Sequence, residues 1–360
     1  MKRHYLLLCI VSLYFGVASN LHAFVINITY DSSVTNYENP ALVQPAVDSV
    51  VQWFQHQYTN AVTVNIIVAF DPGVGLGQSD FQLRGYSYST VTNALRSHRV
   101  SAADFTSVAS LPPSDPFGST NWWVPRAECK VLGLSGVGAN DAINDGTVTF
   151  ASTVSYAFDP TNRAVAGKYD FIGVVQHEIS EVLGRVYLLG YGINGFAPFD
   201  LFRFTNNAAR SFDVDANNSY FSVDNGATVQ RYFYTNALYG DLQDWLTSGP
   251  QDSYDAFSSS GKKSVISSAD LLALDVLGYN MPTTTTPLLT GARQSNGTFN
   301  VSFYGITGQS FTIWSATNVA VPFGSWTSLG SPTEFSTGYY LYRDTQASAN
   351  SQRYYRVTSP

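Results

Sequence analysis

The chain has 360 residues and a formal net charge of −7, which becomes −9 if Lys2 and Arg3 leave with an N-terminal leader. An acidic balance disfavours a nucleic-acid partner, because phosphate binding needs clustered cations. Cys9 falls within that leader, so Cys129 is the one mature cysteine and no intramolecular disulfide is expected.

Residues 1–23 read as a secretory signal. Lys2 and Arg3 precede an apolar run over 6–18, and Ala23 is a small residue before the expected cut. The run is too short for a comfortable membrane span, and no later segment looks transmembrane. These features imply a periplasmic or extracellular location.

The mature chain is expected to open with a strand at 24–28, an amphipathic helix at 41–58 and a second strand at 62–68. Gly73, Gly75 and Gly77 mark a loop, as do the glycines of 133–138. Neither follows a strand-to-helix phosphate pattern, and both are candidates to line a cleft. Short helices are expected at 90–98, 102–110 and 124–132. Cys129 lies in the last of these with no histidine nearby, so it reads as a packed small side chain. Strands at 147–150 and 153–158 are expected to pair as a hairpin. Next comes an apolar-striped helix started by Asp170 and stopped by Gly184. A final helix at 267–279 has Ser267 as cap and Asp270 three residues on. This alternation of strand and helix fits an α/β or α+β domain.

Composition then changes abruptly. Pro282 to Pro287 is threonine-rich, lacks apolar side chains and reads as a linker over 283–287. Short β-like runs fill 288–360 and imply a small all-β sandwich. Within it, Trp314 and Trp326 are read either as core aromatics or as a surface for a glycan or cell-surface ligand.

The stretch that carries chemistry is His177-Glu178-Ile179-Ser180-Glu181-Val182-Leu183-Gly184. It follows the zinc-peptidase pattern HExxHxxG, with glutamate in place of the second histidine. Residues four apart share a helix face, so His177 and Glu181 can grip one metal while Glu178 stands where a general base belongs. A carboxylate ligand partly neutralises the ion and weakens its acidification of water. The same spacing also admits a different reading, in which His177, Glu178, Glu181 and Arg185 form one solvated helix face. Glu181 and Arg185 stand in the favourable order for an ion pair.

The motif helix and its surroundings resemble a family of secreted bacterial metalloproteases related to the metzincins. Tyr169-Asp170-Phe171-Ile172-Gly173 leads into the helix, and Asp200-Leu201-Phe202-Arg203-Phe204 follows it. The segments Tyr220 to Gly226, Gly240 to Trp245 and Ser268 to Tyr279 are similar to that family's downstream landmarks. The resemblance spans most of residues 24–282. It implies an α+β zincin-like catalytic domain, Zn2+ as cofactor and a protein or peptide substrate. Two departures stand out: Tyr187 occupies the place of the third histidine, and no methionine precedes the final helix, the mature chain's one methionine being Met281. Asp200, an acid amid apolar residues, is the candidate third ligand beside His177 and Glu181, or else a turn acid. Tyr187 is read as a core residue, and His56 and His98 as surface or packing residues. Asp213, Asp215, Asn217 and Asp224 carry part of a calcium-loop spacing but lack its central glycine, so they read as a hydrated turn.

The expected function is a secreted zinc-dependent endopeptidase with Glu178 as base and Arg185 steadying Glu181. The rival is a non-catalytic surface or matrix-binding protein that keeps a protease fold.

Overall fold

A computed structural model describes residues 24–116, 118, 121–189, 195–206, 209–282, 289–294, 297–305, 310–336, 338–350 and 352–359. The expected leader and linker lie outside the described residues. No described helix is long and apolar enough to cross a membrane.

The fold is mixed α/β. Strands Val25–Tyr30, Thr63–Asp71 and Gly146–Ala151 run parallel, and Gly77–Phe81 pairs antiparallel with Gly146–Ala151 at the sheet edge. The first two strands match the sequence reading within a few residues. Their alternation of buried and half-exposed positions, clearest in Thr63–Asp71, is the period-two pattern of a sheet covered on one face. Helix Pro40–Gln57 begins with proline at a position that needs no N–H, and it buries Val43, Val47, Val50, Val51, Trp53 and Phe54.

The expected hairpin at 147–150 and 153–158 does not form. Gly146–Ala151 instead lies between two other strands, while Tyr156–Ala157 pairs in parallel with Tyr169–Asp170. The apolar residues of Gly146–Ala151 find larger buried surfaces across the sheet than a neighbour in sequence would offer.

Helix Phe171–Leu183, which carries the motif, packs on the edge strand, on Gly146–Ala151 and on helix Pro40–Gln57. Almost every residue in it is buried, Val175, Ile179, Val182 and Leu183 completely. Two glycines permit the close approach. A Cβ at Gly77 would collide with Glu178 Oε1 and stand 2.8 Å from Val174 Cγ1, and one at Gly146 would meet both methyls of Val182 at 2.7 Å and the Asp80 carbonyl at 2.8 Å. Tyr279 Oη ties the end of the motif helix to the chain after the last helix by donating to the Leu183 carbonyl at 2.6 Å. That last helix, Ser268–Asp275, is shorter than expected.

Residues from 289 onward form two antiparallel sheets, with Phe303, Phe311, Ile313 and Tyr340 buried in a core separate from that of residues 24–281. Trp314 and Trp326 lie outside this core. Both are half-buried beside Phe323, and Trp314 Nε1 donates to Thr358 Oγ1 at 2.9 Å.

The glycine contacts predict that Gly146→Ala costs about 1–3 kcal/mol by overpacking, because one of the obstructing atoms is backbone. Gly75→Ala, where an added Cβ meets nothing within 4 Å, should stay within roughly 0.5 kcal/mol of the parent. Urea titrations of the two variants check the contrast.

Candidate metal centre

His177, Glu181 and Asp244 each offer a ligand atom, and these atoms lie within 4.8 Å of one another, so the group could hold a metal ion. The helical spacing of four brings the first two together. His177 Nε2 is 3.3 Å from Glu181 Oε1 and 3.4 Å from Asp244 Oδ1. The other ring nitrogen, Nδ1, lies 2.9 Å from the Ser253 carbonyl. A carbonyl can only accept, so Nδ1 carries the hydrogen and Nε2 faces the carboxylates. This arrangement fixes a ligand histidine's tautomer and ring plane. Ser253 is itself held by Gln176, whose Oε1 accepts from Ser253 Oγ at 2.9 Å.

Asp244 comes from the Gly240 to Trp245 segment, 59 residues beyond Arg185. Its position follows from its neighbour: Trp245 is fully buried, donates its indole hydrogen to Asp270 Oδ1 at 2.6 Å, and pairs through its backbone N–H with the Tyr254 carbonyl at 2.8 Å. Glu181 accepts from Ser79 Oγ at 2.7 Å and from Gln243 Nε2 at 2.8 Å.

Arg185 joins the two acids from behind. Its guanidinium donates to Asp244 Oδ1 at 2.6 Å, Ser180 Oγ at 2.8 Å and Glu181 Oε1 at 3.4 Å, with the Tyr254 ring beneath it at 4.4 Å. It is completely buried. Arg185 thus holds Asp244 as well as Glu181, and the solvated-face reading of the helix fails: His177 is about the most open of the four, with a side chain 15 % exposed.

The charges balance without a metal. Burial disfavours a charged His177 ring, yet Asp244 and Glu181 outweigh it and raise its pKa to about 10. Burial also opposes charge on Glu181, but hydrogen bonding and attraction from His177, with Arg185 and Ser79 adding to them, bring it down to about 2. Burial keeps Asp244 up at about 6 against the pull of His177 and Arg185. Glu178 stands well above the usual carboxylate range, through burial first and the Glu181 charge second. A cation bound here would take the place of the His177 proton.

Glu178 makes no hydrogen bond among the described residues and points into a cleft of about 380 Å3 beside the group. The segment 73–77 also lines the cleft, as its glycines suggested.

Asp200 is not part of the group. Its Oδ2 accepts from the Ala197 and Leu188 backbone N–H groups at 2.7 and 3.3 Å, capping the short 3-10 helix Pro198–Phe202, and its Oδ1 is buried without a partner. An acid among apolar neighbours is as well explained by such a cap, and the turn reading is the one that matches the geometry. Asp170 precedes the motif helix but does not cap it with its side chain. Arg163 grips its carboxylate at 2.8 and 2.7 Å instead. Tyr187 is buried with Arg203 stacked on its ring. His56 and His98 turn Nδ1 to the carbonyls of Gln52 and Ala94 in their own helices. Cys129 is fully buried, and burial pushes its thiol up to about 12, so it is no nucleophile. Asp213 accepts from the Asp215 backbone, and Asp224 from Ser222 and Thr228, each in its own local turn.

Two predictions follow from these contacts. Arg185→Met strands two buried carboxylates and should cost about 3–5 kcal/mol in a urea titration. Burial raises Asp200 to about 7 against the pull of its backbone N–H partners. Its contribution to stability is therefore complete below pH 4 and lost as pH rises through 7. Asp200→Asn should be relatively more stable at pH 8 than at pH 5, compared with the parent at each pH, and should leave the metal group intact.

No family model, curated protein or solved structure matches this chain. Its function is therefore read from the geometry of the site.

Proposed function

We propose that the chain is a secreted zinc-dependent endopeptidase. The observation that carries the reading is the unpartnered Glu178 carboxyl, facing a cleft beside three clustered ligand side chains. Zinc bonds to nitrogen and oxygen of roughly 2.0–2.1 Å at tetrahedral angles separate two ligand atoms by about 3.3–3.4 Å. The distances of 3.3 and 3.4 Å from His177 Nε2 to Glu181 and Asp244 fit that spacing. One nitrogen and two carboxylates, with no thiolate, make a borderline-to-hard donor set acceptable to zinc.

Zinc bound by these three residues supplies Lewis-acid chemistry. Glu178 then has the role of general base. Burial, with the Glu181 charge beside it, raises its proton affinity well above that of an ordinary carboxylate, and it lines the cleft where a water would attack. Arg185 keeps Glu181 and Asp244 oriented and offsets their negative charge. Gly77–Phe81 is an edge strand at the same cleft, so an extended peptide can lie along it by backbone pairing. The four-stranded sheet with an antiparallel edge over the motif helix also supports a zincin-like domain.

A second reading is favoured by one observation: Arg185 and His177 satisfy both carboxylates without any metal. That arrangement suits a non-catalytic protein using the same fold to bind a surface or matrix.

Metal analysis separates the two. The peptidase should carry near one equivalent of zinc, lost in His177→Ala and Asp244→Ala but kept in Asp200→Asn. Glu178→Gln should retain zinc and fold while lowering proteolysis by on the order of 10²- to 10⁴-fold. A wild type that takes up no zinc after dialysis against it would leave the non-catalytic reading standing.

A further inference from the structure

We propose that the outer face of the C-terminal sandwich binds an acidic polysaccharide, a polymer with carboxylates on some of its sugars, with Trp314, Phe323 and Trp326 as the stacking surface and Arg356 as the carboxylate receptor. The site belongs to residues from 289 onward and is independent of the metal centre and of the peptidase reading.

Strand register builds the face. Strands Thr312–Ala316 and Tyr354–Thr358 pair antiparallel with Trp314 opposite Arg356, so both side chains leave the sheet on the same side. Their neighbours point the other way: Ile313 is completely buried, and Tyr355 and Val357 pack against the sandwich core. Phe323, from the short turn Phe323–Ser325, sets its exposed ring 5.0 Å from that of Trp314 and carries the Arg356 guanidinium at 4.5 Å. Trp326 continues the row 6.3 Å from Phe323. Both indole N–H groups are engaged, Trp314 with Thr358 Oγ1 and Trp326 with the Val321 carbonyl at 3.3 Å. The rings are therefore held in place before a ligand arrives, which removes part of the ordering cost of binding.

Charge selects the ligand. Arg356 is exposed and forms no ion pair among the described residues, and the Phe323 ring covers one face of its guanidinium, leaving the edge N–H groups for a carboxylate. The module's two acids are already engaged, Asp344 by Arg353 and Tyr355 and Glu334 by the Gly338 backbone N–H. Four arginines against two acids give residues 289–360 a net charge of +2, whereas residues 24–288 carry −11. An acidic polymer is thus drawn to the module and repelled by the rest of the chain. The C–H face of a sugar ring can lie on an aromatic ring while its hydroxyls stay in water, so a row of three partly open rings suits a run of sugar units. One unpaired arginine beside three rings matches a polymer with sparse carboxylates. Nucleic acid, with a phosphate on every unit, needs clustered cations.

The test is affinity gel electrophoresis of the full chain through gels containing gellan, a polysaccharide with glucuronate among neutral sugars, or the same polymer after reduction of its carboxylates, with single-stranded DNA as a third probe. Gellan should retard the wild type, and carboxylate reduction should weaken binding about tenfold. Arg356→Gln should make the two polymers equal while leaving the residual binding through the rings. Phe323→Ala and Trp326→Ala should each weaken both polymers by roughly fivefold to tenfold. Near-ultraviolet circular dichroism matching the parent identifies folded variants, and the exposed Arg356→Gln change keeps the test decisive should a ring variant misfold. No retardation by gellan, equal retardation by gellan and its reduced form, or a carboxylate preference that survives in Arg356→Gln overturns the proposal. Tighter binding of single-stranded DNA than of gellan also overturns it and assigns the face to nucleic acid.

Discussion

A buried guanidinium organises the centre of this protein. Arg185 has no exposed surface, and removing so large a charged group from water costs several kcal/mol unless its hydrogens are met. It meets them with Ser180 and Glu181 on the helix just before it and with Asp244 and the Gln243 carbonyl from a distant loop. The Tyr254 ring lies beneath its plane. One residue therefore fixes the end of the motif helix against two later segments. Those segments in turn supply Asp244, and the Ser253 carbonyl that orients His177. The candidate ligands come together because Arg185 requires the acids, and the acids require Arg185.

The sheet completes the arrangement from the other side. Glycine at 77 lets the motif helix approach the edge strand until Glu178 stands against its backbone. That approach places the general-base candidate in the lining of the cleft while most of its helix is embedded in the core. Ser79, two residues along the same strand, reaches Glu181. An edge strand thus supplies residues that line the cleft and one hydrogen bond to a candidate ligand.

The two cores reflect two packing regimes. Residues 24–281 bury aromatic and branched side chains between helices and a mostly parallel sheet, and several of their charged groups, Arg126, Lys130, Arg163 and Arg185 among them, enter the interior paired with acids. Residues from 289 onward bury a handful of large side chains between two short sheets, leaving Trp314, Phe323 and Trp326 at least partly accessible on the outer face.

Local signals in the sequence were strong enough to determine much of this. Proline at the start of one helix, serine caps on others, alternating apolar residues in strands, and the stop at Gly184 are short-range effects, so the corresponding elements stand within a few residues of expectation. His177 and Glu181 were legible for the same reason, since helical spacing alone puts them on one face. Asp244 was not legible, because what brings it there is a buried pairing between residues 59 apart, and its segment carries no periodic mark of a ligand. Asp200 misled because burial among apolar residues looks the same in sequence whether an acid binds a cation or caps a helical turn. The expected hairpin failed because strand partners are chosen by total burial across the sheet, a nonlocal quantity. The sequence by itself determined which residues are helical and which two ligands share a face. Only the tertiary structure decided the third carboxylate and the burial of Arg185, because each depends on contacts between segments that the chain order does not place together.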